Sequence, residues 1–192
     1  MKYLLDANIF FHVINSNIFA VAQYCKNKCN DICITETILN ELEPGYYREK
    51  EDESTKEIYN SVRILSDKKS VFCVITRFDL SDIDGATEEF KKIRSRFYGW
   101  MTEPTYLSKM IEEGKLTKEE IIKSSFRQKD LGECELIAIA KVSKGEYWIT
   151  TNDKGKVYKH PNLNIFKEYQ DDPDINILTG EDWLKKIGYK CR

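Results

Sequence analysis

The chain has 192 residues, 41% of them hydrophobic and 32% charged, with a net charge of −2 at pH 7. That length suits one domain with a sizeable core, no run approaches the roughly 18 apolar residues of a membrane span, and the slightly acidic balance gives no support to a protein that only coats nucleic acid. The first residues carry one Lys and then an acid at position 6, without a signal-peptide pattern, so the expectation is a cytoplasmic protein with no membrane association, a single domain over 1–192, and six reduced cysteines. Cys25, Cys29 and Cys33 recur at every fourth position, but with two histidines in the chain and no Cys-x-x-Cys pair they fit core or surface thiols better than zinc.

Residues 2–5 have the pattern of a short buried strand, and 9–29 of a mostly helical stretch. Asp31–Thr35 is a second strand, running directly into a helix over 36–43 that Pro44-Gly45 ends. The charged residues 48–57 lead into a helix near 54–66 with Ser54-x-x-Glu57 as a capping box. Val71–Ile75 has the composition of a third strand, and 84–128 holds two or three helices, with Thr117-x-x-Glu120 as a second box. A helix follows over 131–143, then a fourth strand at Tyr147–Thr151. The fifth strand is either Asn164–Phe166 or Ile175–Leu178, and Thr179-x-x-Asp182 starts a terminal helix over 180–187. Alternating strands and helices predict an α/β fold, a twisted parallel sheet covered on both faces as a three-layer α/β/α sandwich, with an extra helical insertion around 77–128.

In such a sheet ligands gather at the carboxyl ends of the strands. Asp6 ends the first strand and Asp153 follows the fourth. On a helical wheel, Glu41 borders the apolar stripe Ile38-Leu39-Leu42, while Glu36 and Glu43 fall on the far side. Glu133 stands in line with Leu136, Ile137 and Ala140, Glu135 points away, and Asp130 leans toward Glu133 or caps the helix in an Asp130-x-x-Glu133 box. Each acid alone also fits a cap or a solvated helix face. Four from separate segments are harder to explain by packing, because like charges raise one another's pKa unless a cation sits among them. An oxygen-only set without His or Cys selects Mg²⁺ or Mn²⁺.

These blocks, LLDANIF (4–10), ITETILNELE (34–43), DLGECELIAIAK (130–141) and WITTNDKGK (148–156), resemble in order and rough spacing the PIN-domain family of metal-dependent nucleases, and NILTGEDWLKKIG (176–188) is similar to that family's last strand and helix. The resemblance leaves out 77–128. It implies an α/β/α sandwich and matches Asp6, Glu41 and Asp153 to the family's acidic positions. Glu133 is the first choice for the remaining one, with Asp130 second and Glu135 third. Asn8 and Thr151, with Asn152 beside them, match places where a small polar residue orients a ligand water or carboxylate. The implied chemistry is phosphodiester hydrolysis by water that a carboxylate-held ion activates, with no covalent nucleophile on the protein.

For substrate grip, Lys91, Lys92, Arg94 and Arg96 interleave with Phe97, Tyr98 and Trp100, a pattern that suits single-stranded nucleic acid or, equally plainly, an amphipathic helix with core aromatics. Lys154, Lys156 and Lys159 follow Asp153 closely, and 84–128 is a candidate lid or partner surface. His12 and His160 have no catalytic spacing. The function expected is an endoribonuclease acting on single-stranded or structured RNA in preference to DNA, with a second copy or an antitoxin as candidate protein partners: the resemblance implies either the toxin of a toxin–antitoxin pair, whose antitoxin fills the cleft, or an enzyme that processes ribosomal or messenger RNA. The competing readings are a DNA-cleaving relative, a catalytically silent binding module on the same fold, and a phosphatase of the haloacid dehalogenase type, which Asp6-Ala7-Asn8 disfavours because that chemistry wants Asp-x-Asp.

Overall fold

The computed structural model describes residues 1–45, 52–123 and 126–190. The charged residues 48–51 and Cys191 lie outside them. The described strands are β1 (Lys2–Leu5), β2 (Asp31–Thr35), β3 (Ile75–Phe78), β4 (Tyr147–Thr150), a short pair β5 (Lys156–Val157) and β6 (His160–Asn164), and β7 (Asn176–Leu178). Five of them form one parallel sheet in the order β3-β2-β1-β4-β7, with Leu4 opposite Cys33 on one side and Ile149 on the other. The central strands β1, β2 and β4 are buried almost without alternation because both faces are covered, whereas the edge strand β3 exposes Thr76. Tyr3 and Leu5 of β1, and Ile32 and Ile34 of β2, enter one core, while Leu4 and Cys33 enter the other.

The helices are α1 (Ala7–His12), α2 (Ile18–Asn27), α3 (Glu36–Leu42), α4 (Glu53–Ser66), α5 (Ala86–Tyr98), α6 (Pro104–Glu112), α7 (Lys118–Ile122), α8 (Leu131–Val142), α9 (Ile165–Glu168) and α10 (Gly180–Ile187). α1 to α4 and α10 pack on one face of the sheet, and α5 to α9 supply the core on the other. The protein is thus an α/β sandwich around a parallel sheet. None of the described helices is long and apolar enough to cross a membrane. The chain starts in the middle of the sheet, builds outward through β2 and β3, then crosses back to β4. The strand order therefore reverses between β1 and β4, and a crevice opens there at the carboxyl edge.

Several expectations need correction. The helical stretch 9–29 is two helices, because Asn15, Ser16 and Asn17 bond locally (Ser16 N–H to Asn15 Oδ1, 2.8 Å) and compete with helix continuation. The third strand starts at Ile75 rather than Val71. Asp67 Oδ1 and Ser70 Oγ accept the N–H groups of Lys69 and Phe72, which holds 67–72 as a turn and leaves Val71 92% exposed. Helix α4 is capped by Asp52, which accepts the Thr55 N–H at 2.7 Å, so Ser54 is not the cap. The Thr117–Glu120 box forms with both bonds. Of the two candidates for the fifth strand, 176–178 joins the sheet, and Asn164 instead ends the antiparallel β5–β6 hairpin that the sequence did not announce. The expected insertion begins after β3 and is no lid: Ile93, Phe97, Tyr98, Met101, Met110, Leu116 and Phe126 fill the same core as α8.

Candidate active site

At the reversal point a cleft of about 220 Å³ opens, lined by Asp6, Asn8 and Phe11, by Glu41 and Glu43, by Thr55, and by Glu133 and Asp153. Five carboxylates from four remote segments face it, and no Lys, Arg or His stands among the described lining residues. The four acids singled out in the sequence, Asp6, Glu41, Glu133 and Asp153, are thus brought together.

Asp6 is delivered by the end of β1, where its N–H bonds Thr150 O at 3.0 Å. It occupies the cap position of α1, with the first N–H groups of that helix, at Ala7 and Asn8, favouring its charged form. The residue is 4% exposed, and its Oδ2 accepts the Thr151 hydroxyl at 2.5 Å and the Asn8 amide. Thr151 Oγ1 in turn accepts Asn8 Nδ2 (3.1 Å) and the Asp153 N–H (2.9 Å), so its hydrogen-bonding capacity is filled. Asn8 Oδ1 accepts the Asn152 N–H, Asn152 Oδ1 accepts the Gly180 N–H, and Asp153 Oδ1 accepts the Gly155 N–H at 2.7 Å. The expected orienting residues Asn8, Thr151 and Asn152 therefore tie the ends of β1 and β4 to the start of α10.

Glu133 comes from the first turn of α8. Gly132 lets that turn sit against Glu41: a Cβ there would lie 2.8 Å from Ile38 Cδ1 and 2.9 Å from Glu41 Oε1. Burial pushes the Asp6 carboxyl up to about 6, with a further rise from the Asp153 charge working against the Thr151 hydroxyl bond. Although part of Glu133 opens to the cleft, burial holds its carboxyl well above the usual range, and the charges of Asp6, Glu41 and Asp130 add to the shift.

Three acids behave otherwise than expected. Asp130 has φ +55° and makes no cap bond, so the Asp130–Glu133 capping box does not form. Its Oδ2 accepts the Tyr98 hydroxyl (2.5 Å) and the Tyr158 N–H (3.1 Å), which holds it off the cleft lining as a second-choice ligand. Glu135, the third choice, is buried with Oε1 bonded to the Thr37 hydroxyl at 2.7 Å and Oε2 without a partner. Glu43 reaches the cleft mouth although the wheel placed it on the far side of α3. The helix ends at Leu42 and Glu43 has extended dihedrals, so 100° per residue no longer applies. Glu36 does stay outside, paired with Arg77 at 3.1 Å.

The basic stretch on α5 is not a free grip. Lys91 pairs with Glu88 (2.7 Å), Lys92 with Glu89 (3.1 Å) and Arg96 with Glu168 (2.6 Å). Arg94 lies over the Tyr98 ring and donates to the carbonyls of Lys129 (2.6 Å) and Arg127 (3.1 Å), clamping the turn before α8. Phe97 and Tyr98 are core residues, so the amphipathic-helix reading holds. Lys154 and Lys156 stand exposed beside Asp153, and Lys159 pairs with Glu120 at 3.0 Å. His12 is exposed at the end of α1, and His160 sits among the rings of Trp100 and Tyr106. Cys25, Cys29, Cys33, Cys73 and Cys134 are free thiols.

Among the described residues no group of three or more His, Cys, Asp and Glu side chains is arranged as a bound metal ion requires. The carboxylates line one cleft without closing on one point. Fold and cleft together define an α/β parallel-sheet protein with an acidic crevice at its strand-order reversal. The chain matches no family model and none of the curated proteins.

Proposed function

We propose that the chain is a PIN-type, Mg²⁺- or Mn²⁺-dependent endoribonuclease that hydrolyses phosphodiester bonds in single-stranded or structured RNA. The observation that carries this reading is the gathering of Asp6, Glu41, Glu133 and Asp153, from four distant segments, around one cleft with no described cation among the lining residues. The donor chemistry fits a hard divalent ion, because every candidate ligand is a carboxylate oxygen. Gly132 keeps open the space in which the Glu41 carboxylate lies beside Glu133.

Asp6, Glu41, Glu133 and Asp153 would hold the ion. Bound there, it supplies Lewis-acid chemistry, making water acidic enough to attack at neutral pH and offsetting charge on the phosphodiester. Asn8 and Thr151 fix the Asp6 carboxylate by their bonds to Oδ2, and the Gly155 N–H fixes Asp153. Because Asp6 must lose its proton to act as a ligand, metal affinity and cleavage rise with pH through about 6. In the toxin form of this proposal, a small protein partner silences the enzyme by filling the acidic cleft.

The test is incubation of the pure protein with labelled RNA and single-stranded DNA, in Mn²⁺ or in chelator, beside Asp6→Asn and Asp153→Asn. Cleavage of RNA in Mn²⁺ is expected from the unaltered chain and from neither variant. Cleavage that persists in both variants, or in chelator, removes the mechanism.

A further inference from the structure

We propose that the groove between α6 and the β5–β6 hairpin is a second contact for single-stranded nucleic acid, taking phosphates and a base of the strand whose scissile part lies in the acidic cleft; the identity of that strand rests on the nuclease reading above. The groove encloses about 430 Å³, with Tyr106 and His160 among its lining and Lys109, Lys115 and Lys159 around them.

Its charge is opposite to that of the acidic cleft. Lys109 and Lys115 share a single carboxylate, Glu113, at 3.9 and 2.7 Å, which leaves the pair a net cation. Lys159 stands beside them but is paired with Glu120, which also accepts the Tyr158 hydroxyl and the Thr117 N–H, so the net positive charge rests on Lys109 and Lys115. With Glu113 and Glu120 both counted, the three lysines still leave this groove net positive in a chain whose net charge is −2. His160 reports the same local field: burial, and then the charge of Lys115, hold its imidazole below the ordinary range. Lys109 and Lys115 share one carboxylate, whereas on α5 Lys91 pairs with Glu88, Arg96 with Glu168, and Arg94 is held by backbone carbonyls.

The rings supply the other half of a single-strand site. Tyr106 and His160 stack at 6.0 Å and 29°, and Trp100 braces both at 5.9 and 5.1 Å. Both stacked rings are only half-buried, so a nucleobase can extend a stack that is already fixed. Phosphate cations beside a stacking platform are the combination that binds single strands without regard to base identity. An acidic peptide would use the lysines but leave the rings idle.

The groove also lies within a short chain distance of the cleft. His160 lies seven positions after Asp153, a reach of at most about 25 Å. The hairpin between them is pinned by the Tyr158 N–H to Asp130, by Lys159 to Glu120, and by the ring cluster. A strand of a few nucleotides is long enough to span that distance.

The test is fluorescence anisotropy with a 5′-labelled single-stranded RNA of ~15 nucleotides, and the DNA of the same sequence, in chelator so that no cleavage intervenes. Lys109→Ala/Lys115→Ala is compared with the unaltered chain; both lysines are exposed, and matching thermal melts confirm an intact fold. The double variant is expected to bind several-fold more weakly, with the slope of log affinity against log salt shallower by about 1.4, or about 0.7 for each phosphate no longer neutralised. Unchanged affinity and slope, or no binding by the unaltered chain, overturns the proposal. The two readings fail separately. An inactive enzyme in Mn²⁺ that still shows the affinity and slope difference loses the nuclease reading and keeps the groove, whereas an active enzyme with an unchanged slope loses only the groove.

Discussion

Asp6 keeps a carboxyl where burial disfavours its charge, and that conflict is measurable without any substrate. Its pKa is about 6 in the fold and near 4 when the chain is unfolded, so the folded state binds its proton more tightly. The stability this contributes is fully present below about pH 4 and is lost as pH rises through about 6, a change of up to about 3 kcal/mol. Asn cannot ionise. Asp6→Asn is therefore expected to melt higher than the unaltered, metal-free protein at pH 7, with the advantage vanishing near pH 4, in thermal unfolding followed by circular dichroism. An equal loss of stability at both pH values would contradict the assignment. At this scale the sequence was most informative where geometry is local. Asp6 and Asp153 follow strand ends, and Glu41 and Glu133 sit on helical wheels that hold to the end of their helices. Glu43 and Asp130 escaped because their backbones leave the helix, one extended and the other at φ +55°, where no wheel applies.

Between elements, the decisive joint is the entry to α8. That helix is buried almost all round, yet its first residue follows a turn whose backbone is held by Arg94 and whose Asp130 is held by Tyr98 and Tyr158. Arg94 reaches two carbonyls with one planar fork, which the single ammonium of Lys cannot reproduce. Arg94→Lys is expected to destabilise the protein by about 1–3 kcal/mol and to speed amide exchange in the first turn of α8 far more than in β1. Hydrogen exchange read by mass spectrometry checks this, and uniform acceleration across the chain would mean that Arg94 does not act on this joint. The sequence marked α5 as an amphipathic helix with aromatics and cations. It did not show that the cations would be consumed inside the fold, because their partners lie 33 to 72 residues away or one helical turn back.

The whole molecule sets a slightly acidic chain around a cleft that has no described cation in its lining. An ion that binds the folded state alone stabilises it by mass action, by about 2.7 kcal/mol at a hundredfold excess over its dissociation constant. Mn²⁺ is accordingly expected to raise the melting temperature of the unaltered chain at pH 7, to do so much less for Asp6→Asn, and to lose effect below about pH 6, where Asp6 is protonated. Melting curves with and without Mn²⁺ measure it, and identical shifts in both proteins would place the ion elsewhere.

By itself the sequence determined the alternation of buried strands and helices, the parallel sheet, and four of the five acids that line the cleft. These are encoded by short-range periodicity and by which residue follows each strand. It misplaced β3, because a run of apolar side chains does not reveal that Asp67 and Ser70 hold part of that run in a turn. Only the tertiary structure decided that Asp130 turns to Tyr98, that Glu135 turns to Thr37, and that the insertion joins the core instead of covering the cleft. It alone brought Tyr106, Lys109 and Lys115 against Lys159 and His160. A local pattern states which face of an element is apolar, whereas the meeting of two remote side chains depends on how those faces pack.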